Sequence, residues 1–125
     1  MKDEMDFEIV VQPRYLPAES DPPARRWVFA YTIEIRNRGA RAAQLRNRHW
    51  VITNADGQRQ EVRGRGVVGE EPRLEPGEAF RYTSAAVLET PVGTMHGEYE
   101  FEAGDGSRFL VPIPVFSLSV PKLVH

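Results

Sequence analysis

Trp27-Val28-Phe29-Ala30-Tyr31-Thr32-Ile33-Glu34-Ile35-Arg36 decides the fold of this 125-residue chain. Trp27, Phe29, Tyr31, Ile33 and Ile35 fall on one side of an extended backbone, and Val28, Ala30, Thr32, Glu34 and Arg36 on the other. Successive strand residues point to opposite faces, so this is the period of a central strand with one face in a core. The same period recurs in both directions along the chain, and no segment of about twelve residues carries a helical stripe free of Gly and Pro. An all-β domain is the expectation.

Upstream, Phe7, Ile9 and Val11 alternate with Glu8, Val10 and Gln12, a first strand expected to stop around Pro13. Downstream, Asn37-Arg38-Gly39-Ala40 turns the chain into a third strand. There Ala43 and Leu45 share one phase and Trp50 and Ile52 the other, which predicts a bulge near Asn47-Arg48-His49. Asn54-Ala55-Asp56-Gly57 is a turn leading to a short, polar fourth strand, Gln58 to Arg63. A fifth strand puts Phe80, Tyr82 and Ser84 on one side. In the sixth, Met95, Gly97, Tyr99 and Phe101 oppose a wet acidic face of His96, Glu98, Glu100 and Glu102.

Gly104-Asp105-Gly106-Ser107 closes a hairpin onto the last strand, Phe109 to Phe116. Pro112 and Pro114 are two apart, so both missing amide hydrogens face one lateral edge, which cannot be fully paired. That edge faces solvent or a second chain, and edge strands leave a route to homo-oligomers. Phe109, Val111, Ile113 and Val115 are expected to point one way, and Leu110, Phe116, Leu118 and Val120 the other. The second apolar face is either covered by loops such as Tyr15 to Arg25 or is a contact patch. About seven short antiparallel strands predict a two-sheet sandwich of immunoglobulin or fibronectin type III-like topology, with an open barrel as the alternative. Nothing divides residues 1–125 into more than one domain.

Hydrophobic residues make up 41% of the chain and charged residues 27%, with a net charge of −2. Generic attraction to nucleic acid is therefore not favoured, and no apolar run reaches the length of a membrane span. The acidic opening Met1-Lys2-Asp3-Glu4 does not resemble a secretory signal, which predicts a cytoplasmic protein. With no cysteine, thiol catalysis and cysteine-ligated metals are excluded.

Gly64-Arg65-Gly66-Val67-Val68-Gly69 matches G-x-G-x-x-G. A dinucleotide fingerprint needs a helix after the glycines to receive the pyrophosphate, and Pro72, Pro76 and Gly77 rule that helix out. The glycines are instead expected in a long loop between strands. They either form an anion nest supported by Arg63, Arg65 and Arg73, or simply permit tight turning. His49, His96 and His125 lack ligand spacing, and Glu70, Glu71 and Asp56 offer at most weak magnesium binding. Ser84 has no nucleophile-elbow context to pair it with His49 or His96. No cofactor and no enzymatic activity are expected.

Several phrases together resemble the bacterial ApaG family, also called CorD. They are Arg14-Tyr15-Leu16-Pro17, Ser20-Asp21-Pro22, Phe29-Ala30-Tyr31-Thr32-Ile33, Asn47-Arg48-His49-Trp50, Val62 through Gly69, Leu74-Glu75-Pro76-Gly77, Tyr82-Thr83-Ser84 and Thr90 through Met95. Arg65, where the family often has an acid, and Ala85-Ala86 depart from its pattern. The resemblance implies a fibronectin type III-like sandwich and an association with cobalt resistance and magnesium efflux. Similar domains in some eukaryotic F-box and DNA-polymerase-interacting proteins look like binding modules. The leading expectation is a non-enzymatic module that binds a protein partner through the glycine loop (Gly64, Arg65, Gly66, Gly69, Arg73), Tyr15 to Arg25 and the last strand. The alternatives are an anion- or nucleotide-binding regulator and a direct divalent-metal sensor.

Overall fold

Each alternating segment forms a strand in the computed structural model, which describes residues 5–121. The readings of the opening residues Met1-Lys2-Asp3-Glu4 and of His125 lie outside the described residues. The strands are β1 (Phe7–Tyr15), β2 (Trp27–Asn37), β3 (Ala43–Asn54), β4 (Arg59–Arg65), β5 (Arg73–Leu74), β6 (Ala79–Leu88), β7 (Val92–Ala103) and β8 (Arg108–Ser119). They form two antiparallel sheets, one ordered β1-β2-β6 and the other β4-β3-β7-β8, with β5 pairing onto the start of β3. Two separate sheets make a sandwich and dispose of the barrel alternative.

As the alternation predicts, Phe29, Tyr31, Ile33 and Ile35 are buried in the core between the sheets. Leu45 and Trp50 of β3 and Met95, Tyr99 and Phe101 of β7 meet them from the other sheet. Val28 and Ala30, on the opposite face of β2, are buried as well. The connection after β1 explains Val28: it forms two single 3-10 turns, Pro17–Glu19 and Pro22–Ala24, the first of which packs on β2. There the Ser20 hydroxyl donates to the Leu16 carbonyl and accepts from the Val28 amide, both at 2.8 Å.

Four expectations need correction. Pro13 does not end β1, which continues to Tyr15 with Pro13 opposite Tyr31; β1 is a sheet edge, where a missing amide hydrogen is tolerated. β4 runs past Arg63, so Gly64 and Arg65 are strand residues opposite Arg48 and Asn47 rather than loop residues. The β3 bulge falls between Leu45 and Asn47, slightly before the predicted place, and it brings both Leu45 and Trp50 into the core. The last strand is not apolar on both faces. A register shift between Met95 and Gly97 places two residues of β8, Pro114 and Val115, against one of β7, His96, reversing its phase, so Val111 and Ile113 and then Phe116 and Leu118 all turn inward. Leu110 and Val115 stay outside, 60% and 66% exposed. β8 is a sheet edge, as Pro112 and Pro114 require.

A buried polar side chain fixes the end of β2. The Asn37 amide nitrogen donates to the carbonyls of Arg41 (2.9 Å) and Leu74 (3.0 Å), and its oxygen accepts from the Gly39 amide at 2.8 Å. Asn37 thereby ties the β2–β3 turn to β5. Asn37→Ala strands all three partners, so a loss of about 2–3 kcal/mol is expected from chemical denaturation. A loss within about 0.5 kcal/mol, the range of surface substitutions, would contradict this role.

Candidate functional site

The glycine segment is shaped by contacts that explain its composition. After β4 the Gly66 amide donates to the Arg46 carbonyl at 2.7 Å. Val67 and Glu70 then exchange both backbone hydrogen bonds, at 2.8 and 2.9 Å, around Val68 (φ 44°) and Gly69 (φ 82°). Positive φ at both central residues defines a type I′ turn, a geometry that favours Asn-Gly. Gly66 has φ 60°, and a Cβ there would lie 2.2 Å from the Glu70 carbonyl oxygen. Gly64 is needed for a different reason: its missing side chain leaves room for the Arg48 guanidinium, which a Cβ would approach to 2.7 Å. Arg48 Nη1 donates to the carbonyls of Arg65 (2.8 Å) and Gly66 (3.0 Å), holding the segment from below.

Ion pairs hold it from the side. Glu71 accepts from Arg46 and Arg65, each at 3.1 Å, and these guanidinium groups, Arg46 first, keep its carboxyl below its ordinary value. A depressed folded pKa means that this hold is present above the ordinary carboxylate range and is lost as pH falls through Glu71's lowered value. Arg73 is set apart on β5 opposite Gln44, with its guanidinium on Glu75. The predicted support for an anion is thus divided, since Arg65 and Arg73 each already face a carboxylate.

Beside the turn, the outer face of the sheet carries an open groove of about 420 Å³ that Arg63, Gly64, Arg65 and His49 line together with Leu110. The acidic face predicted for β7 is a half-buried ion-pair ladder here. Glu98 faces His49, Glu100 accepts from Asn47 and Arg108, and Glu102 lies against Arg46 and Arg108. The ring nitrogens of His49 face two different carboxylates, Glu61 at 2.9 Å and Glu98 at 3.4 Å. Hydrogen bonding to His49 holds the Glu61 carboxyl below its usual range. Among the described residues, no group of three or more His, Asp and Glu is arranged to hold a metal ion. No helix of the described residues is long and apolar enough to cross a membrane.

On its inner side the turn closes a second cavity, of about 190 Å³, that sequence reading missed. Tyr31, Arg48, Trp50, Val67, Val68, Gly69, Tyr82 and Ser84 line it. Ser84 is the cross-strand neighbour of Tyr31, and the Tyr82 hydroxyl shares a 2.5 Å hydrogen bond with that of Tyr99. Burial pushes all three tyrosines up from their ordinary value. The available signal was Arg48, two residues before Trp50 and in its inward phase. Three tyrosines in core phases point to the same place, because a buried hydroxyl needs a partner.

A family model described as the ApaG domain matches residues 17–103. Protein ApaG of Azoarcus sp. (strain BH72) is 57% identical over 119 residues, covering 95% of this chain and 94% of that one. Protein ApaG of Nitrosomonas europaea is 53% identical over the whole of both chains. The crystal structure of an ApaA protein from Bordetella pertussis superposes with a TM-score of 0.94 at 47% identity, over 98% of this chain and 100% of that one. Fold, motif spacing and full-length similarity agree: this chain belongs to the ApaG domain family.

Proposed function

We propose that this chain is a small, non-enzymatic, cytoplasmic protein-binding module whose contact surface centres on Val68 at the tip of the glycine loop. Any part it plays in cobalt resistance and magnesium efflux is then indirect, exerted through that partner. The observation that carries the reading is the conformation of Val68, a β-branched residue with φ 44° that is 53% exposed. Bulky residues avoid this region, and holding one there costs about 1–3 kcal/mol. Half-exposed, Val68 gains too little packing inside the domain to offset that cost, whereas a partner's surface would. The neighbouring groove adds Arg63, Arg65 and the exposed Leu110, a polar rim with an apolar element.

Other observations support this reading over its competitors. The amides of Gly66, Val67 and Glu70 are spent on backbone carbonyls, which leaves little of a phosphate nest. His49 is engaged by carboxylates on opposite ring nitrogens, so the three groups do not converge on one point for a cation. Ser84 lies opposite Tyr31 rather than an imidazole.

Val68→Asn tests the proposal because it creates the Asn-Gly pair that a type I′ turn favours. The fold should gain about 1 kcal/mol in chemical denaturation, while capture of the partner from native extract falls to background. A variant that is less stable than the parent, or that captures the same partner undiminished, would remove the basis for the proposal. Saturable micromolar nucleotide binding at Gly64 to Gly69 would favour the regulator instead.

A further inference from the structure

The cavity beneath the Val67–Glu70 turn borders the surface assigned to a protein partner, sharing Val68 and Gly69 with it, yet it carries its own unspent chemistry. Four other arginines around the site, Arg46, Arg65, Arg73 and Arg108, each face a carboxylate. Arg48 does not; among the described residues its guanidinium meets only the carbonyls of Arg65 and Gly66, through Nη1. A half-buried guanidinium without a counter-charge is a site awaiting an anion.

The hydroxyls lead to the same conclusion. Each brings one proton, and between Tyr82 and Tyr99 only one of two protons is used. Tyr99 is fully buried, whereas Tyr82, 7% exposed, lines the cavity. When Tyr99 donates to Tyr82, the Tyr82 O–H is left to donate into the cavity. Tyr31 and Ser84 add two further hydroxyls on the same wall. Burial keeps these phenols protonated at neutral pH, so they act as donors.

We propose that this cavity binds a small monocarboxylate with a flat apolar body, its carboxylate held by Arg48 and the Tyr82 hydroxyl. One guanidinium balances one negative charge, while a phosphate dianion would leave the second charge uncompensated in a partly dry site. The apolar part of the wall comes from Val68, 53% exposed, and from the Tyr31 and Trp50 rings, which meet at 5.4 Å and 61°. The volume of about 190 Å³ suits a six-membered ring carrying a carboxylate, since a dry cavity of about 150 Å³ accepts benzene. Gly64 contributes by leaving the space in which the guanidinium lies.

The test is titration of the full chain with sodium benzoate, followed by amide shifts at Val67 to Gly69 and by calorimetry. Benzamide, its neutral isostere, and inorganic phosphate serve as the other arms. Saturable benzoate binding is expected, with benzamide and phosphate each at least about tenfold weaker, because the bond to the charged group is the strong one. Tyr82→Phe keeps the shape and should weaken benzoate about tenfold. Arg48→Met should abolish binding, and Arg48→Lys should restore part of it. Should Arg48→Met fail to fold, Tyr82→Phe decides the matter alone. Absence of saturation by benzoate, equal binding of benzamide, tighter binding of phosphate, or an unchanged affinity in Tyr82→Phe would each overturn the proposal. Tyr82→Phe leaves Val68 itself unaltered, and partner capture is read independently of benzoate binding, so the two readings fail separately.

Discussion

Gly97→Ala is expected to destabilise the fold by more than about 4 kcal/mol. A Cβ at Gly97 would lie 1.9 Å from the His49 carbonyl oxygen, 2.9 Å from its carbonyl carbon and 3.1 Å from the Trp50 Cα. All three are backbone atoms of β3, the strand paired along the whole of β7, so no side chain can swing away. β3 and β7 are both interior strands of their sheet, held on two sides, and cannot separate locally. A cost beyond about 4 kcal/mol takes most of the stability of a domain at the low end of the usual 5–15 kcal/mol and a large part of it elsewhere in that range. Circular dichroism and thermal melting of the variant provide the measurement. Gly104→Ala is the control: its added Cβ meets nothing within 4 Å, and a change within about 0.5 kcal/mol is expected. A Gly97→Ala protein that melts with the parent would show the β3–β7 approach to be slack.

Phe101→Ala should cost about 3–5 kcal/mol in chemical denaturation. Phe101 is fully buried on β7, with Phe7 of β1 at 4.4 Å between ring centroids and Phe109 of β8 stacked at 5.8 Å. The three rings join the edge strand of one sheet to two strands of the other, so the void would open across the sandwich and not within one layer. Phe101→Leu, which refills much of that volume, should recover most of the loss. A Phe101→Ala loss below about 1 kcal/mol would mean that the two sheets close over the gap.

The sandwich was legible because period-two alternation survives wherever a strand has one face in the core, as in β2 and β7. It failed where a single extra residue reverses the phase. In β8 the insertion at Pro114 and Val115 makes a one-faced strand read as two-faced, since sequence does not distinguish a strand buried on both sides from one that changes sides. The extension of β4 was hidden for another reason. Gly64 looks like loop chemistry, yet its role is to make room for Arg48 from the neighbouring strand, a contact between positions distant in sequence. The inner cavity was missed in the same way: Tyr31, Tyr82 and Tyr99 read individually as core residues. Only the pairing of β2 with β6, facing β3 and β7, brings Tyr31 and Tyr82 to the cavity that Arg48 lines, with Tyr99 behind Tyr82.

The pairing of β3 with β7 also governs how the chain reaches its native state. Its register joins Leu45 to Phe101 and Thr53 to Thr94, and β2 reaches across a comparable stretch to β6, where Phe29 meets Ala86. The neighbouring hairpins β1–β2, β3–β4 and β7–β8 can close early, but the sandwich forms only after large loops have been brought together. Folding is therefore slow on the scale of helical domains, in the range of milliseconds to seconds. During that interval the hairpins stand apart with open edges. Pro13 on β1 and Pro112 and Pro114 on β8 lie on two of these edges, where they discourage nascent chains from pairing with one another before the sheets meet.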